Sequence, residues 1–279
     1  MKSFSAVWVM LAFTITTDLS AGPWPQGKGR GLFSLSLGRY QTSRGTNGDG
    51  NIFEYDFQGR FVSDRLGMYV EYGLTEETTF IGNFSYVSNG FSSQFQDQRS
   101  GGFPDQEFGV SYSLSTFPIA LSVSATYLFP SLYSLDQDPM LGFGEHAVQV
   151  MVGAGKGFDL TTWPAWISGE AGYRRYFGVV SDQFLATFTL GTQPTPAWML
   201  TIQLLGTDSP YPHQILQNLN PNIVSGYSLI KVSALALVSL NDSFSLVATY
   251  TKDVWGKRSG FGDNITLGVW YRLGGAALH

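Results

Sequence analysis

Few side chains in this sequence are placed to do chemistry, and their spacing argues against most of what they could do. Ser88 heads the tripeptide Ser88-Asn89-Gly90. A serine becomes a nucleophile only when a base within reach takes its proton. Two positions earlier stands Tyr86, a poor base near neutral pH. Of the histidines, His146 falls at the start of a predicted strand, His213 in a Pro-rich loop and His279 at the last position. Asn47, Asp49 and Asn51 alternate with glycines and offer oxygen atoms suited to calcium. They lack the spaced carboxylates and closing glutamate of an EF-hand, so a turn is the better reading. Cysteine is absent, which removes disulfides, thiol catalysis and thiolate zinc sites together. No phosphate loop or dinucleotide fingerprint occurs in a strand–turn–helix setting, and no basic patch is interleaved with aromatics. The expectation is therefore no catalytic residue, no metal, no cofactor and no nucleic-acid partner.

What remains is pattern. In the stretch 66–74, Leu66, Met68, Val70, Tyr72 and Leu74 share one face, and Gly67, Tyr69, Glu71 and Gly73 share the other. That is period two, a strand with one apolar face. A short polar turn follows, and Phe80, Phe84 and Tyr86 then fall on one face of a second run. The same hairpin device recurs along the chain. Only 13% of the residues are charged, against roughly 25% in soluble proteins. Aromatics reach 15%. After the N-terminal segment, no stretch approaches the roughly 18 consecutive apolar residues of a membrane helix. Low charge, many aromatics and alternating strands together predict an all-β protein, a transmembrane antiparallel up-and-down barrel.

Alternation places strands at 31–42, 61–74, 78–89, 106–115, about 121–127, 145–157, 165–177, 183–192, 198–206, 227–240, 244–254 and 264–273. Short connections at 75–77, 116–119, 158–164, 193–197 and 241–243 alternate with mostly longer polar ones at 43–60, 90–105, 130–144, 178–182, 207–226 and 255–263. Bacterial barrels show this alternation of tight periplasmic turns and larger external loops. Five short and six long connections join twelve strands, with ten or fourteen as the alternatives. An even number puts both chain ends on the periplasmic side.

The domain reading follows. Residues 1–21 resemble an export signal: Lys2, an apolar core from Ala6 to Ile15, and a small-residue end at Ala21. Residues 22–30, rich in Gly and Pro, form either a periplasmic tail or a small plug at the barrel mouth. The barrel spans 31–273, and 274–279 is a C-terminal tail.

If the cleaner apolar face meets lipid, the other face lines the lumen. It then receives Arg65, Glu71, Glu107, Glu145, Gln149, Glu170, Arg174, Gln203, Lys231 and Arg272. Charges of both signs in such an enclosure should pair with one another. Small residues (Ser34, Ser36, Gly109, Ser111, Ser122, Ser124 and Thr126) leave room for a narrow passage. Trp163, Trp166, Tyr173, Tyr176, Trp198, Tyr227, Trp255 and Tyr271 fall near strand ends, where membrane–water girdles want amphipathic rings.

Two resemblances bear on function. Ser88-Asn89-Gly90 resembles the end of a His-x-Ser-Asn-Gly motif of outer-membrane phospholipases, but Tyr86 holds the histidine position. The hairpin from Val70 through Gly73-Leu74-Thr75-Glu76 to Phe80, Gly82 and Phe84 resembles outer-membrane proteins of the meta-pathway of phenol degradation and of hydrocarbon uptake. The stretch 27–31 leading into the first strand is similar to theirs as well. That resemblance implies a barrel passing small, often aromatic or hydrophobic molecules across the outer membrane of a Gram-negative bacterium. The expected function is a passive channel or transporter. The alternatives are a non-conducting structural or adhesive surface barrel and a lipid-modifying enzyme. The implied partners are outer-membrane lipid, lipopolysaccharide, the barrel assembly machinery and a small-molecule solute.

Overall fold

The computed structural model describes residues 22–209 and 218–274. The export segment 1–21, the loop stretch 210–217 with His213, and the last five residues lie outside the described residues. The barrel strands are β1 (Gly31–Thr42), β2 (Arg60–Gly73), β3 (Thr78–Ser92), β4 (Gln106–Ser115), β5 (Ala120–Phe129) and β6 (Ala147–Leu160). They continue with β7 (Trp163–Tyr176), β8 (Gln183–Thr195), β9 (Trp198–Asp208), β10 (Ser228–Ser239), β11 (Phe244–Lys257) and β12 (Asp263–Leu273). Each is antiparallel to its neighbours in sequence. β1 pairs with both β2 and β12, with Gly31 opposite Tyr72 on one side and Leu273 on the other, so the wall closes. Closure leaves no edge and pairs the backbone polar groups that a hydrocarbon environment could not satisfy.

Period two holds on every strand. Leu66, Met68 and Tyr72 of β2, Val110, Tyr112 and Leu114 of β4, and Ile265, Leu267 and Val269 of β12 point outward and are exposed. Their sequence neighbours, such as Ser63 and Tyr69, Ser111 and Ser113, or Asn264 and Thr266, are buried inside. The molecule is therefore inside-out relative to a soluble domain, with its continuous apolar surface outside. Such a band suits lipid and would be a liability in water.

Two additions sit at the end carrying the long loops, the extracellular end by the turn rule. The segment Asp97–Gly102 pairs with the upper part of β3 and forms a hairpin that rises past the wall. β3 meets β4 only over residues 78–83, and the buried Gln106 side chain bridges the gap above. It accepts from the Ser85 N–H at 2.7 Å and donates to the Ser85 and Pro104 carbonyls. Arg44–Thr46, Ile52–Glu54 and Ser259–Gly260 make a small separate sheet. There Asn47 Oδ1 accepts from the N–H groups of Asp49 and Asn51 and builds the loop turn.

Inside the other end lies an apolar cluster of Leu32, Trp166, Met199, Leu235, Leu237, Val247 and Trp270. These residues come from six strands near their periplasmic ends. The segment 22–30 folds up against this cluster. Trp24 packs on it. A side chain at Gly155, an inward position on β6, would meet Pro23 and Trp24 at 2.6 Å. The Gln26 N–H donates to Thr79 Oγ1 at 3.1 Å, and its side-chain amide donates to Glu71 Oε2. Gly29 and Gly73 complete the attachment through backbone bonds of 2.9 Å, Gly29 N to Gly73 O and Gly73 N to Arg30 O. Gly73 must lack a side chain, because a Cβ there would stand 1.8 Å from the Gly27 carbonyl oxygen.

Candidate functional site

Above that apolar end, the barrel encloses a cavity of about 370 Å³. Its wall is mixed. Arg65, Glu107, Gln149, Glu170, Arg174 and Lys231 line it beside Met151, Leu185, Leu205 and Leu229. Loops roof it. Leu141, Gly142 and Phe143 come from the β5–β6 connection, and Asn220, Ile223 and Tyr227 from the β9–β10 connection. Side chains tie the roof down. Asn89 Nδ2 and Asn220 Nδ2 donate to the Met140 carbonyl at 2.9 and 2.7 Å. Asp105 accepts from the Tyr133 hydroxyl at 2.6 Å and from the N–H groups of Phe143 and Gly144. Burial raises the Asp105 carboxyl above its ordinary range against those bonds, and it raises the Tyr133 phenol too. Replacing Asp105 with Ala strands two backbone N–H groups and a half-buried phenol, at up to roughly 1–3 kcal/mol for each group left unsatisfied. The expected outcome is a β5–β6 loop that proteases cut at least tenfold faster while the barrel stays folded. An unchanged cleavage rate would refute this role for Asp105.

The sequence-derived inward residues sort by height and partner. Arg65, Glu107, Gln149, Glu170, Arg174 and Lys231 meet in the cavity. Glu71 lies lower, where it accepts from the Tyr69 hydroxyl at 2.6 Å as well as from Gln26. Gln203 faces inward below the cavity, with its amide donating to Thr189 Oγ1 at 3.2 Å. Arg272 also faces inward but at the periplasmic rim, donating to Ser239 Oγ, Ser245 Oγ and the Asn241 carbonyl. Glu145 departs from expectation. β6 begins only at Ala147, and the Glu145 carboxylate accepts from the N–H groups of Val179 and Val180, so it fastens two external loops together. His146, expected to open that strand, likewise precedes it and hydrogen-bonds Tyr127.

Two of the lumen charges take neutral partners. Glu107 takes the Thr126 hydroxyl at 2.6 Å. Arg174 donates to the side-chain carbonyls of Gln149 and Gln183. The salt bridges Arg39–Asp64, Arg175–Asp182 and Lys252–Asp263 stand on the outer face toward the extracellular rim. Around a barrel wall, opposite charges on separate strands are held apart by the backbone, so neutral neighbours on adjacent strands reach them first.

The girdle needs correction at three places. Trp163, Trp198 and Tyr271 are exposed near the periplasmic rim, and Tyr173 and Trp255 near the extracellular rim. Trp166 is buried in the inner apolar cluster, Tyr176 is buried under the roof against Phe143, and Tyr227 lines the cavity. For Trp166 and Tyr176 the cause is parity. Trp166 lies three residues from outward Trp163, and Tyr176 three from outward Tyr173, so each takes the opposite face. Ser88, by the same parity, points outward from β3, while Asn89 turns inward and bonds Ser63. The strand runs through this tripeptide to Ser92, so Asn89-Gly90 is not a turn.

No protein-family model matches the chain, and no curated protein matches it. Solved structures do. An outer membrane channel from Pseudomonas putida F1 superposes with a TM-score of 0.67 at 15% identity, covering 91% of this chain and 99% of that one. The translocator domain of autotransporter NalP from Neisseria meningitidis gives 0.52 at 12% identity, covering 88% and 89%. The beta domain of the Bordetella autotransporter BrkA gives 0.51 at 11%, covering 88% and 99%. Likeness at these identities is one of fold, and the fold is that of a closed twelve-stranded outer-membrane β-barrel.

Proposed function

We propose that this chain is an outer-membrane channel for small, partly apolar molecules. The observation that carries the reading is the roofed cavity of about 370 Å³ with charged and apolar lining inside a lipid-facing barrel. A purely structural barrel of this girth can fill its interior with side chains. Here Gly109, Ser111, Ser122, Ser124 and Gly153 line β4 to β6 and keep that wall low. The lane they form runs down toward Gly155, where Pro23 and Trp24 rest. Solute would enter between the external loops, pause in the chamber, and leave past the N-terminal segment. The similarity of fold to an outer membrane channel supports the reading. Outward-facing Ser88 with Tyr86 before it offers nothing to a lipid-cleaving enzyme.

Planar-bilayer recording of the chain refolded from Gly22 tests it. Brief single-channel openings from a barrel with heat-modifiable migration, sustained once residues 22–28 are removed, are the expected result. Silence from such a barrel, with or without the N-terminal segment, would move the weight to a non-conducting surface role. Glu107 and Glu170 offset Arg65, Arg174 and Lys231 in the chamber lining. Changing both to Gln should lower the cation-to-anion permeability ratio several-fold, because fixed charges in a narrow low-dielectric passage act on ions strongly. An unchanged reversal potential would remove them from the conduction path. Export by a cleaved leader predicts a mature N-terminus at Gly22, readable by N-terminal sequencing of the membrane fraction.

A further inference from the structure

Strand register reveals a transverse row across the chamber. Glu170 of β7 stands opposite Thr187 of β8, Thr187 opposite Leu205 of β9, and Leu205 opposite Lys231 of β10. All four line the cavity. Three interstrand steps of about 4.8 Å put the Glu170 and Lys231 backbones roughly 14 Å apart along the wall. The two side chains form no ion pair with each other, and among the described residues neither has a hydrogen bond or a salt bridge. This sets them apart from Glu71, Glu107 and Arg174, which are held by neutral partners. Both side chains are half-buried in the chamber, where a charge gains from a partner that answers it. The next tier toward the mouth is apolar: Met151, Leu185 and Leu229 sit around Gly172 and Thr207.

We propose that this row is a recognition site for a zwitterion whose ammonium and carboxylate are separated by several methylene groups, the ammonium on Glu170 and the carboxylate on Lys231. Leu205, between the two poles, and the tier of Met151, Leu185 and Leu229 would cover the methylene chain. An α-amino acid spans little of a backbone separation of roughly 14 Å, and a plain hydrocarbon leaves both charges unanswered. The inference rests on reading the cavity as a chamber on the solute path and adds the class of solute.

The test is calorimetric titration of the folded barrel in detergent with 6-aminohexanoate, hexanoate and hexylamine. The expected result is that 6-aminohexanoate binds at least tenfold more tightly than either singly charged probe. Glu170→Gln and Lys231→Met should each lose at least tenfold for the zwitterion, with Glu170→Gln leaving hexanoate unaffected. The comparison of probes on the unaltered barrel decides the matter even if a variant fails to fold. Equal affinities for the three probes, or no binding of any, would overturn the proposal. Bilayer recording of the same preparation separates the two readings. Channel openings without zwitterion preference overturn only the solute class. A clear preference in a barrel that never conducts keeps the site and sinks the channel.

Discussion

Trp24→Ala should raise the time-averaged conductance of the barrel at least tenfold, and removal of residues 22–28 should raise it further. In the structure Trp24 is the side chain of the N-terminal segment that packs on the cluster of Leu32, Trp166, Met199, Leu237, Val247 and Trp270, and the expectation follows from reading that contact as the seal of the periplasmic end. A tryptophan buries roughly 150–250 Å², which at about 25 cal/mol per Å² amounts to roughly 4–6 kcal/mol if the ring is fully covered. Trp24 is half-buried, so about 2–3 kcal/mol is the fitting figure. Since each 1.4 kcal/mol is a factor of ten, the unsealed state is populated on the order of 1% of the time. Alanine removes most of that bias. The remaining ties, Gln26 to Thr79 and Glu71 and the Gly29–Gly73 bond, hold the segment near the mouth but do not fill it. Gly155→Leu attacks the same contact from the wall, since even its Cβ would overlap Pro23 and Trp24. Single-channel recording distinguishes the outcomes. If all three variants conduct like the unaltered barrel, the segment is not what closes the passage.

Much of this architecture was legible because lipid enforces period two. A transmembrane strand must put apolar groups on one face for its whole length, so alternation survives even where the lumen is irregular. The runs 31–42 and 106–115 read from the sequence are the observed β1 and β4. The tight turns are equally plain, being short gaps between alternating runs. What the pattern misplaced lies where hydrophobicity and the membrane part company. β3 continues past Asn89 because its upper half pairs with Asp97–Gly102 above the bilayer, where no apolar face is required. Closeness to strand ends places Trp166 and Tyr176 in the girdle, although their parity with inward Glu170 and Arg174 points inside. Residues 22–30 have no period at all. Their placement depends on an inner apolar ring assembled from six strands, a property of the closed barrel and not of any segment. The unpaired state of Glu170 and Lys231 is of the same kind, visible only once register fixes which strands stand between them.

Ile202→Arg should destabilise the barrel by about 2–4 kcal/mol, the range for a basic side chain facing lipid near the midplane. Gln203→Arg, one residue on, should cost less than half of that. Ile202 lies in the middle of β9, is 59% exposed, and stands beside Leu190 and Ala234 of the neighbouring strands. Gln203 faces the lumen below the chamber among Thr189 and Ser233. There an arginine finds hydroxyl oxygens and water, and its length lets the guanidinium reach toward the cavity. The two substitutions add the same charge to the same strand, so net charge cancels in the comparison, and the higher β-propensity of Ile over Gln adds at most about 1 kcal/mol. The rest of the difference is the environment of the two faces. Urea unfolding of both variants in lipid vesicles gives the difference directly. Equal costs would mean that the outer face meets water or protein and not hydrocarbon, and the lumen assignments of Glu107, Glu170 and Lys231 would fall with it, because one register governs them all.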